Sequence, residues 1–158
     1  MSISVANCLE AVMEINGTQE ADYLTGTNAS DLIQGGQGRD IIDAGNGDDT
    51  LFGGLDGDIL TGGMGSDDFL FKSFNERTDI ITDFSVSEDR IILVQVFAQL
   101  EDQGNSPLID QYLQLVQSGS STRIQIDPDG LGTAPSRTIA IVLNSNASDL
   151  VVGGNVVI

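Results

Sequence analysis

The sequence predicts an all-β fold made by stacking short strands, and three observations predict it. From Gly17 to Leu70 a nine-residue unit repeats without a gap: GTQEADYLT, GTNASDLIQ, GGQGRDIID, AGNGDDTLF, GGLDGDILT, GGMGSDDFL. The sixth residue of every unit is aspartate (Asp22, Asp31, Asp40, Asp49, Asp58, Asp67), and the eighth is large and apolar (Leu24, Ile33, Ile42, Leu51, Leu60, Phe69). Glycine gathers at positions one, two and four. A flexible Gly/Asp linker would be polar and aperiodic. A fixed period with an apolar column marks a repeat whose units cannot bury that column alone and must stack.

Each part of the unit has its own physical reason. Glycine at positions one, two and four lets the chain take positive φ and turn tightly with its carbonyls inward. Aspartate at position six sets a carboxylate beside those carbonyls. Such hard oxygen donors are what Ca²⁺ takes, at about 2.3–2.6 Å and in flexible coordination, whereas Mg²⁺ wants a strict octahedron and keeps its waters. Residues seven to nine form a very short strand with the eighth side chain inward. The candidate ligands are therefore Asp22, Asp31, Asp40, Asp49, Asp58 and Asp67, with Gly35, Gly36, Gly38, Gly45, Gly47, Gly53, Gly54, Gly62, Gly63 and Gly65. The fourth unit loses its first glycine to Ala44. The fifth has Asp56, also counted among the ligands, where the fourth glycine is expected, so its turn is expected to shift by one residue. The first two units lack the second and fourth glycines, so Asp22 and Asp31 are expected to bind weakly or to cap the stack. Asp43, Asp48 and Asp68 read as solvated strand-edge charge.

Charge narrows the function. The 158 residues hold 24 Asp+Glu, 18 of them Asp, against 6 Lys+Arg, a formal net charge of −18. Nothing here could neutralise phosphates, which excludes nucleic acid and an anionic membrane surface as partners. The absence of His removes the usual general base and the commonest zinc ligand. With no GxSxG and no spaced carboxylate pair either, the reading is not an enzyme, and no small-molecule substrate is called for. Cys8 is alone, so no internal disulfide forms. The N-terminus lacks a basic and an apolar signal region, and no apolar run approaches the ~18 residues of a membrane span. Residues 17–70 alone carry eleven acids against Arg39, a local charge of −10. Without cation these carboxylates repel across a strand spacing, so the repeat is expected to fold only as Ca²⁺ binds.

The pattern GGxGxDxUx, with U apolar, resembles the RTX (repeats-in-toxin) nonapeptide. The resemblance implies a right-handed parallel β-roll (β-solenoid), two units to a turn, with several Ca²⁺ ions between turns. Six units imply three turns, pairing Asp22 with Asp40, Asp31 with Asp49, Asp40 with Asp58, and Asp49 with Asp67. The segment DIITDF followed by EDRIIL resembles the one that closes the roll in RTX exoproteins, which adds Asp79, Asp83 and Asp89 as candidate ligands. Residues 107–158 resemble the C-terminal target region of type I (ABC transporter) export, which implies a secreted, extracellular protein.

The remaining elements follow from local pattern. Residues 5–15 read as a short amphipathic helix, N-capped by Asn7, over the open first turn. Strands are expected at 79–84, 90–98, 112–116, 122–126 and 138–143, a loop at 101–107 and a hairpin connection at 117–120. Asp127-Pro128-Asp129-Gly130 starts like an EF-hand loop, but Leu131 and Thr138 stand where ligands belong, so it reads as a turn. The organisation is an N-terminal cap at 1–16, a calcium-binding roll at 17–71, and a β-rich capping and secretion region at 72–158. The expected function is a secreted calcium-binding module that folds on Ca²⁺ outside the cell, either free-standing or the detached end of a larger exoprotein. The alternative is a calcium-dependent matrix, S-layer or adhesion module whose partner is a cell-surface polysaccharide.

Overall fold

The structure, a computed structural model, describes residues 2–4, 12–73, 76–102, 109–130, 132 and 135–158. Successive strands alternate between two parallel sheets. One stacks β1 (Ser2–Ser4), β3 (Tyr23–Thr25), β5 (Ile41–Asn46), β7 (Ile59–Met64) and β9 (Asp79–Ile81). The other stacks β2 (Glu14–Asn16), β4 (Leu32–Gly36), β6 (Thr50–Gly54), β8 (Asp68–Leu70) and β10 (Arg90–Ile92). Pairing joins residues 18 apart, Leu24 to Ile42 to Leu60 in one sheet and Ile33 to Leu51 to Phe69 in the other. The result is a parallel β-solenoid of about four turns, two units to a turn.

The eighth residue of every unit is fully buried between the sheets. Ile15 extends this column at one end, and Ile81 and Ile91 at the other. Each contributes about 2 kcal/mol by burial. The stack thus runs past both ends of the nonapeptides. Strands β4 to β7 are longer than three residues because the glycines after them also pair across turns, Gly36 with Gly54 and Gly45 with Gly63. Only a residue without a side chain lets two backbones meet there at positive φ.

The fifth unit does not shift. Asp56 itself takes φ +74 at the fourth position, and Gly57 takes none of the strain. Aspartate tolerates the left-handed region better than most residues because its short side chain bonds locally. Asp56→Gly is expected to stabilise the calcium-loaded protein by about 0.5–1 kcal/mol, read from a denaturant midpoint. Its exposed ion pair with Arg77, at 3.3 Å, offsets little of that.

The C-terminal region closes the roll. Strands β11 (Leu113–Ser118), β12 (Ser121–Ile126) and β13 (Arg137–Val142) form an antiparallel meander whose last strand joins β9 in parallel. β14 (Val156–Val157) covers β10. The hairpin turns at Gly119-Ser120, and Asp127 makes a turn by accepting the backbone N–H of Asp129 and Gly132. Two expectations need correction. Residues 90–98 are not one strand: β10 ends at Ile92, and Val94–Asp102 forms helix α1. Leu93, Val96, Phe97 and Leu100 fall at helical spacing and are buried, so the 3.6-residue period wins over β propensity. Glu14 and Ile15, expected in a helix, lie in β2, because Ile15 completes the apolar column. Val12 and Met13 lie in neither helix nor strand, while residues 5–11, Cys8 among them, lie outside the described residues, as does most of the expected loop, whose residues 101–102 belong to α1. Among the described residues no helix is long and apolar enough to cross a membrane.

Candidate metal centre

The sixth-position aspartates form two buried columns. In each, an aspartate Oδ1 accepts the backbone N–H of the aspartate one turn earlier. Asp40 takes Asp22 N–H at 2.8 Å and Asp58 takes Asp40 N–H at 2.8 Å. In the second column Asp49 takes Asp31 N–H at 2.7 Å and Asp67 takes Asp49 N–H at 2.9 Å. All six of these side chains are buried.

The second oxygen divides them into two kinds. Oδ2 of Asp22 accepts both the N–H and the hydroxyl of Thr18, and Oδ2 of Asp31 does the same with Thr27. Threonine at position two thus does for these units what a cation would otherwise do, in keeping with a capping role for both. Oδ2 of Asp40, Asp49, Asp58 and Asp67 is buried and accepts no hydrogen bond. A buried carboxylate oxygen left so is costly unless a cation meets it. Three of the four Oδ2 atoms press on the first glycine of their own unit: Asp40 on Gly35, Asp58 on Gly53, Asp67 on Gly62. A Cβ on those glycines would overlap the carboxylate, and on Gly35 also the Gly53 carbonyl oxygen. Ala44 holds that place beside Asp49. Gly38, Gly47 and Gly65 make the fourth-position turns at φ +100, +119 and +130.

These residues fit a hard divalent cation. Among the described residues no three carboxylates converge, so such an ion would take one or two carboxylates and fill its shell with turn carbonyls.

Electrostatics agrees with geometry. Burial pushes the carboxyl of Asp49 up to about 7 and those of Asp58 and Asp67 up to about 6, against an ordinary 3.8. Burial also raises Asp40, whereas the Thr18 hydroxyl holds Asp22 below its usual value. Raised groups keep their protons in the fold, so their stabilisation is complete below pH 3.8 and is lost as pH rises through 6 to 7. Stripped of metal, the protein is therefore expected to hold its fold better as pH falls from 7 toward 4. Calcium should reverse the slope, because it binds the ionised carboxylate. Urea midpoints across pH, with chelator and with calcium, check both signs.

The columns continue beyond the repeat. Asp79 Oδ1 accepts Asp58 N–H at 2.9 Å and Asp89 Oδ1 accepts Asp67 N–H at 3.0 Å. Asp79 is almost wholly buried, and burial pushes it up to about 8. Asp89 spends its other oxygen on Ser85 N–H, as Asp22 does on Thr18. Asp83 bonds the N–H of Gly62 and Gly63 with its two oxygens and so caps the open turn. Two degenerate units explain this: FNERTDIIT at 74–82 and FSVSEDRII at 84–92 keep aspartate at six and isoleucine at eight, without the glycines. That Asp-x-Ile spacing was the signal available for Asp89. Of the edge acids, Asp48 accepts Ser66 N–H, and Asp68 forms a bidentate pair with Arg90 at 2.7 Å.

The family model for the RTX calcium-binding nonapeptide repeat matches residues 16–51 and 41–69, with four copies. The fold resembles the solution structure of the AlgE6R3 subunit of the Azotobacter vinelandii mannuronan C5-epimerase: TM-score 0.66, 29% identity, 89% of this chain and 80% of that one. The AlgE6R2 subunit of the same enzyme matches with TM-score 0.67 and 26% identity over 90% of both chains. No curated protein matches.

Proposed function

Starting from a run of RTX calcium-binding nonapeptides over residues 16–69, we propose a secreted module that folds on calcium, with Asp40, Asp49, Asp58, Asp67 and Asp79 as carboxylate ligands. The glycines around them would add carbonyl oxygens. The observation that carries this reading is the set of four buried Oδ2 atoms that accept no hydrogen bond. Bound calcium supplies the positive charge that lets stacked carboxylates coexist. The chain's own part is to hold each Oδ1 on a backbone N–H, so that Oδ2 is aimed before the ion arrives. In this reading the meander and α1 cap the last turn, and the C-terminal region serves type I export. Cytosolic calcium is submicromolar in most cells, so the roll would stay open inside and close outside.

A calcium titration of chelator-stripped protein, followed by far-UV circular dichroism with Mg²⁺ as control, tests the switch. A cooperative gain of β signal with Ca²⁺ but not Mg²⁺ is expected. Full β signal in chelator at neutral pH, unmoved by calcium, would sink it. Fractionating producing cells and medium tests export, which fails if the protein stays in the cells.

A second reading, a calcium-dependent module for extracellular polysaccharide, is favoured by the two similar structures, both subunits of a mannuronan C5-epimerase. Calcium-dependent retention on immobilised polyuronate would separate it from an export module alone.

A further inference from the structure

We propose that Glu76 is a calcium ligand at the seam between the roll and its C-terminal cap, outside the nonapeptide pattern. The inference rests on the reading of Asp58 and Asp79 as ligands.

The step from Asp58 to Asp79 is 21 residues, where every step within the repeat is 18. The sequence between Phe71 and Asp79, KSFNERT at 72–78, holds no glycine at all. Glu76 stands where Leu55 stands one step of 21 earlier. Leu55 is 53% exposed, yet Glu76, a carboxylate, is only 8% exposed. Its Oε2 is buried and accepts no hydrogen bond, the same signature that marks Asp40, Asp49, Asp58 and Asp67. Backbone N–H groups of Lys72 and Ser73 and the Lys72 charge favour the carboxylate, yet Oε2 itself takes no hydrogen bond, and a buried oxygen left so is costly without a cation.

Glu76 and Asp58 line one cleft of about 560 Å³, with Gly57, Thr78 and three arginines around it. The arginines do not explain the carboxylate. Arg39 donates to the Gly57 carbonyl at 3.3 Å and Arg77 pairs with Asp56, while Oε2 of Glu76 accepts from none of them. Asp58 repels Glu76, and Glu76 in turn repels Asp79, so negative charge accumulates along the seam from Asp58 to Glu76 to Asp79. A hard cation would relieve all three. The glutamate oxygen would supply the ion with what turn carbonyls supply elsewhere in the roll.

The test is isothermal calorimetry of calcium binding to the full chain, wild type against Glu76→Gln. The amide keeps the shape and an acceptor for backbone N–H groups, so a merely structural glutamate predicts unchanged binding. A ligand predicts one equivalent fewer, or one site weakened about tenfold or more, with the remaining sites unchanged. An identical isotherm overturns the inference. If wild type binds no calcium, the broader reading fails instead. Should Glu76→Gln not fold, wild type labelled with ¹³C at the glutamate carboxyls decides. The Glu76 Cδ resonance shifts on calcium addition if it ligates, and stays in place if it does not.

Discussion

Asp49→Asn is expected to make the metal-free protein more stable and the calcium-loaded protein less stable. Asp49 Oδ1 holds the Asp31 N–H, and an asparagine carbonyl can do the same. The other oxygen is buried without a donor, and burial has pushed the group up to about 7. Removing its charge relieves about 1–3 kcal/mol of unfavourable burial in chelator at neutral pH. The amide nitrogen that replaces Oδ2 cannot ligate, so the calcium-induced gain at that site is lost. Asp31→Asn provides the contrast. Oδ2 of Asp31 already takes Thr27 N–H and hydroxyl, so an amide there sets donor against donor. It should destabilise by about 1–2 kcal/mol with or without calcium. Urea midpoints in calcium, and the β signal that each variant retains in chelator, read the comparison against wild type. If both variants shift alike in the two buffers, the division of the aspartates into metal-facing and self-capped is wrong.

Gly63→Ala is expected to unfold the roll even in saturating calcium, at a cost above about 3 kcal/mol. Two effects add at this residue. Its φ is +101, which an L side chain rarely adopts, and a Cβ would lie inside the Gly45 carbonyl oxygen of the previous turn. The neighbour is backbone held in the β5–β7 ladder, so it cannot swing aside as a side chain would. Gly119→Ala isolates the first effect, since φ is +65 there and nothing lies within 4 Å of the added carbon. That variant should cost only about 1 kcal/mol. Guanidinium denaturation of the pair in calcium makes the comparison. Equal losses would mean that turns do not approach each other through glycine.

Much of the roll was legible in the sequence because its interactions recur at one spacing. Period nine marks the inward column from Leu24 to Phe69, and the aspartate register marks the two acid columns. The division between Thr-capped Asp22 and Asp31 and the metal-facing aspartates was also visible, as missing second and fourth glycines. Legibility faded where the period breaks. Asp89 joins a column only because three extra residues between Asp67 and Asp79 and one more between Asp79 and Asp89 keep the stack in step, which the Asp-x-Ile spacing alone does not announce. The run at 90–98 is apolar enough for a strand. It turns helical at Val94 because the roll's end offers one surface to Leu93, Val96, Phe97 and Leu100.

The nine-residue pattern alone sets the unit and the stacking of its strands, because both rest on contacts that recur at every turn. Which oxygens are already satisfied, and how the last turn is closed, emerge only once the chain is folded. Those outcomes depend on single pairings that do not recur every turn, such as Asp83 on the N–H groups of Gly62 and Gly63, Asp89 on the Ser85 N–H, and β13 against β9. A periodic pattern carries what every turn shares, and the ends of a stack are where its turns stop being alike.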